Sequence, residues 1–74
     1  MGKEVYWEIV LRDERWAKFV GQVVAIGRKR NWDWQFIEMY ILESIHHLTL
    51  DELPKDPRKL EQDMEICWHE LGNE

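Results

Sequence analysis

The 74-residue sequence has one cysteine, two prolines and four glycines, and no uninterrupted apolar run approaching the length of a membrane span. A single thiol, Cys67, excludes an intramolecular disulfide framework and fits a reducing compartment. The expected setting is the cytoplasm. Without about 20 consecutive apolar residues there is no membrane helix, and no charged segment leads into an apolar stretch as a signal peptide requires. Gly21 and Gly27 lie too far apart to form a phosphate-binding glycine loop. Basic residues are also few, ten against fifteen acids for a net charge of −5. Such a balance argues against nucleic acid as a partner, since that binding draws on Lys and Arg neutralising phosphates.

Apolar and aromatic residues are plentiful. The hydrophobic types make up 45% of the chain, and tryptophan occurs five times, at Trp7, Trp16, Trp32, Trp34 and Trp68. A chain this short forms one domain and buries only about 60% of the surface its unfolded form exposes, so association is a common supplement to its stability. Charge is uneven as well. Residues 1–48 carry seven acids and seven bases, whereas residues 49–74 carry eight acids and three bases, which places the whole excess of −5 in the last third.

Periodicity predicts a mostly α, small three-helix domain with helices at about 14–27, 32–48 and 57–71, a connector over 49–56 and an N-terminal arm over 1–13. Asp56-Pro57 pairs an N-cap residue with proline at the first helical position. Leu60, Met64, Cys67, Trp68 and Leu71 then repeat at helical spacing, and Gly72 supplies a stop. Thr49 and Glu52 have the spacing of a capping box, while Pro54 limits any helix begun there to about one turn. In the first helix Asp13 is a cap candidate and Gly27 an end, with Trp16, Phe19, Val20, Val23, Val24 and Ile26 on one arc. The arm reads as helix or as strand, because Val5, Trp7, Ile9 and Leu11 alternate with their neighbours. The alternative fold is α+β, with an N-terminal β-hairpin using residues 19–27 and then two helices.

The middle segment is apolar nearly all round. On a helical wheel Trp34, Ile37, Ile41, Ile45 and Leu48 form one arc, expected to pack within the chain. Trp32, Phe36, Met39 and Tyr40 fall on the other side and, with Trp7, form the expected partner-binding face. The functional expectation is therefore a non-enzymatic interaction or regulatory module, an adaptor or inhibitor, forming a homodimer through that aromatic face. The expected core is Trp16, Phe19, Val23, Ile37, Ile41, Leu60, Met64 and Trp68.

Catalytic chemistry finds little support. Cys67 falls in an apolar stripe that raises a thiol's pKa, and Ser44 lacks an orienting third group. No cofactor is implied. The rival from another class is a metal site built from Glu43, His46 and His47, whose Glu-x-x-His spacing matches carboxylate-bridged centres of helical bundles and whose ligand count only a dimer would complete. Glu65 and His69 read as a solvated surface pair. Arg28, Lys29 and Arg30 suit the negative end of the first helix dipole, and beside Trp32 and Trp34 they also have the makings of a single-strand contact or a site for an acidic patch.

Overall fold

Three helices and one short turn of 3-10 helix order the chain in a computed structural model that describes residues 12–72. Helix α1 covers Glu14–Lys29. The Asp13 carboxylate starts it by accepting the Arg15 backbone N–H at 2.8 Å, and Arg28 and Lys29 stand at its negative end. The helix runs through Gly27 rather than stopping there. The left-handed residue that turns the chain is Asn31, at φ 59°, a residue type that tolerates this region.

Gly27 has a different task. It is buried, and a Cβ at this position would overlap Cγ1 and Cδ1 of Ile37, so its missing side chain lets the next helix approach closely. That helix, α2, covers Trp34–His47, with the Asp33 carboxylate accepting the Phe36 backbone N–H at 2.8 Å. Trp32 precedes it, tied back by its N–H to the Gly27 carbonyl at 2.9 Å. In the connector the Glu52 carboxylate accepts both the Thr49 backbone N–H at 2.9 Å and the Thr49 hydroxyl at 3.0 Å, opening a 3-10 turn over Leu50–Glu52. These bonds hold the Glu52 carboxyl below its usual range. Helix α3 covers Pro57–Glu70, capped by Asp56 through the Arg58 N–H at 2.9 Å, and Gly72 takes a left-handed φ of 86° just beyond its end.

The core forms where α1 meets both other helices. Phe19, Val20, Val23 and Ile26 face Ile37, Ile41, Phe36, Leu60 and Met64, and Trp16 and Trp68 pack against this group. All eight expected core residues therefore belong to it. Residues 19–27, extended in the α+β alternative, are helical, which removes the hairpin. The arm lies outside the described residues up to position 11, and Trp7 with it. Among the described residues no helix is long and apolar enough to cross a membrane.

One expectation about α2 is overturned. Trp34, placed in the core by the wheel, is 60% exposed, whereas Trp32 and Phe36, assigned to a partner, are 8% and 4% exposed. The buried arc of α2 is centred between the two apolar sides, on Phe36, Ile37, Ile41 and Ser44, because α1 covers one flank and α3 the other.

Candidate interaction surface

Trp32, Phe36 and Trp68 form a compact aromatic cluster. The Trp32 and Trp68 rings stack at 5.6 Å and 29°, and Phe36 meets Trp68 edge to face at 4.9 Å and Trp32 at 5.3 Å. Such contacts add to the burial energy of the rings by about 0.5–1.5 kcal/mol per pair. The cluster is internal, so Trp32 and Phe36 are corrected from contact residues to core.

Lys29 and Arg30 of the basic run at the end of α1 are likewise engaged within the chain. The Arg30 guanidinium lies 5.1 Å over the Trp32 ring, reaches Glu61 at 3.3 Å and pairs with Glu65, while the Lys29 ammonium reaches Glu61 at 3.5 Å. The acidic patch it meets is its own α3. Glu65 thus serves a link between helices, beyond the local pairing with His69 that its spacing implies.

What remains open of the expected face is its far end. Met39, Tyr40, Glu43, Ser44, His47 and Leu48 of α2 and its end oppose Cys67 and Leu71 across a cleft of about 450 Å³. The buried Ser44 hydroxyl donates to the Tyr40 carbonyl at 2.8 Å, which leaves the cleft floor without an orphan polar group. Burial, with the Asp63 carboxylate next in importance and then Cys67, pushes the Tyr40 phenol up to about 12. Burial also raises the Cys67 thiol, helped by Glu70 and Glu43, which suits an inert apolar wall better than a nucleophile.

The chain matches no family model, no curated protein and no solved structure. Its own geometry is therefore the whole basis for a functional reading. Of the expected metal ligands, Glu43 and His47 come together within one chain. His47 Nε2 sits 3.1 Å from Glu43 Oε2, both exposed, but among the described residues no three His, Cys, Asp or Glu side chains converge as a metal would need. His46, one residue from His47, lies about 100° away round the helix.

Wheel reasoning missed three exposed apolar side chains, Trp34, Ile66 at 57% and Leu71 at 52%. Leu71 had a sequence signal that pointed inward, since it continues the α3 stripe; it falls beyond the end of the helix, where that stripe runs out of partners.

Proposed function

We propose that this chain is a small non-enzymatic interaction module, an adaptor or inhibitor of the cytoplasm, that self-associates through the α2–α3 cleft. The carrying observation is the cleft itself, whose Met39, Tyr40, Leu48, Cys67 and Leu71 present an apolar surface bordered by the Glu43 carboxylate. Apolar surface of this kind, rimmed by polar groups, is what protein contacts cover. Methionine beside an aromatic ring gives an adaptable contact, and tyrosine supplies area with little loss of side-chain freedom.

A two-fold axis through the cleft would bring the same apolar walls of both copies together, the isologous arrangement commonest among soluble oligomers. Sedimentation velocity across a concentration series tests this. A dimer that Tyr40→Glu dissociates, with helix content retained, supports the reading. Leu71→Glu, at an exposed position outside the helices, should have the same effect without disturbing the fold. A wild-type chain that stays monomeric at every concentration defeats self-association.

A further inference from the structure

A second groove lies away from the cleft, between the first half of α1 and the connector. Its apolar part is formed by Leu50, Leu53 and Pro54 above the buried Phe19, and its remaining lining is Arg15, Lys18, Gln22 and Lys55. Among the described residues three cations and no carboxylate line it, in a chain whose net charge is −5. Glu14 and Asp51, next in sequence to Arg15 and Leu50, are not among the lining residues, and three other nearby acids are engaged. Asp13 caps α1 and meets Arg15 at 3.7 Å, Glu52 is held by Thr49, and Asp56 caps α3. Arg15 is thus partly neutralised, whereas Lys18 and Lys55 form no ion pair with another described residue.

We propose that this groove is a docking site for an acidic segment of a partner protein, one that seats a large apolar side chain on Leu50, Leu53 and Pro54 and sets flanking carboxylates against Lys18 and Lys55. The volume, about 390 Å³, falls at the small end of ligand-binding clefts, which run from about 300 to 1,000 Å³. It suits one anchoring side chain rather than a whole helix. Charge complementarity selects the occupant: lysines of this kind discriminate against basic segments and hasten encounter with acidic ones. The Gln22 amide, the one uncharged polar lining group, both donates and accepts and so can meet a peptide backbone.

The test uses the full chain, isotope-labelled for NMR, titrated with a synthetic decapeptide that carries a central Phe and Leu between glutamates. Two controls replace the glutamates by lysine or the Phe and Leu by serine. The site assignment requires amide shifts centred on Lys18, Phe19, Leu53 and Lys55 with the acidic peptide, and at least about tenfold weaker binding for both controls. Lys18→Glu/Lys55→Glu, two exposed positions, should weaken binding by about tenfold or more while leaving the circular dichroism unchanged. If charge reversal disturbs the fold, Lys18→Gln/Lys55→Gln replaces it and must weaken binding in the same direction. The proposal falls if the acidic peptide leaves those amides unshifted at millimolar concentration, if the lysine peptide binds equally well, or if the folded lysine variant binds like wild type. It also falls if the chain alone occupies the groove, seen as concentration-dependent shifts there that the lysine variant abolishes, because the occupant is then a second copy.

Discussion

Tyr40 holds a phenol between an apolar core and the Asp63 carboxylate, and both press against its ionisation. Desolvation is the larger cause and Asp63 the next, together moving the group from 10.0 to about 12. Linkage sets the sign of the stability effect. A group whose pKa is higher folded than unfolded contributes its stabilisation in full below the unfolded value, and that contribution disappears as the pH climbs through the folded one. Stability due to neutral Tyr40 is therefore level up to about pH 10 and declines from there to about pH 12. Ultraviolet titration of the phenolates checks this, with Tyr40→Phe assigning the late-ionising group and Tyr6 serving as the other tyrosine. If Tyr40→Phe removes an ordinary step near 10 instead, the environment described for Tyr40 is wrong.

Between elements, the decisive residue is one with no side chain. Ile37 is 1% exposed and occupies the space a Cβ on Gly27 would take, so Gly27→Ala forces it to shift within a packed core. Overpacking of this type costs about 1–3 kcal/mol, and the better helix propensity of alanine returns about 1 kcal/mol. The expected net loss is about 0–2 kcal/mol in urea denaturation, from the difference of those two effects. Gly21→Ala supplies the contrast. Nothing lies within 4 Å of a Cβ there, so the propensity gain stands alone and the variant should be more stable by up to about 1 kcal/mol. Equal effects at the two glycines would mean that α1 and α2 do not meet as closely as described.

The same contrast separates what could be read in the sequence from what could not. The caps at Asp13 and Asp56, the Thr49 and Glu52 pairing and the Gly72 stop are settled by residues within a few positions of each other, and their spacing announced them. The orientation of α2 is a different kind of question. With Trp34 and Ile41 on one side and Phe36 and Tyr40 on the other, its sequence offers two apolar arcs, and the choice of centre depends on two other helices covering both flanks. Arg30 and its partners Glu61 and Glu65 are more than thirty positions apart, so the clasp between α1 and α3 had no local signature. For the site, Met39 and Tyr40 were legible as apolar surface, but their joining to Cys67 and Leu71, and the whole groove around Lys18 and Lys55, came from the packing of distant segments.

Over the whole molecule, charge and apolar surface oppose each other in self-association. Two copies meeting at the α2–α3 cleft bring together chains of charge −5 each, with Glu43 at the rim and Asp63 and Glu70 acting on Tyr40 and Cys67 behind it. Added salt shortens the range of that repulsion from about 30 Å at 0.01 M to about 8 Å at 0.15 M, while leaving apolar burial intact. The dimer should therefore strengthen with salt, and, since it forms only from folded chains, the melting temperature should rise with protein concentration. Binding of an acidic segment in the Lys18 and Lys55 groove depends on attraction and should weaken over the same salt range. Calorimetric melting at several concentrations in low and moderate salt checks the first expectation, with Tyr40→Glu expected to flatten the concentration dependence. A melting temperature that rises with concentration but falls back as salt is added would mean that opposite charges hold the copies together, and the contact would then have to be sought away from the acid-rimmed cleft.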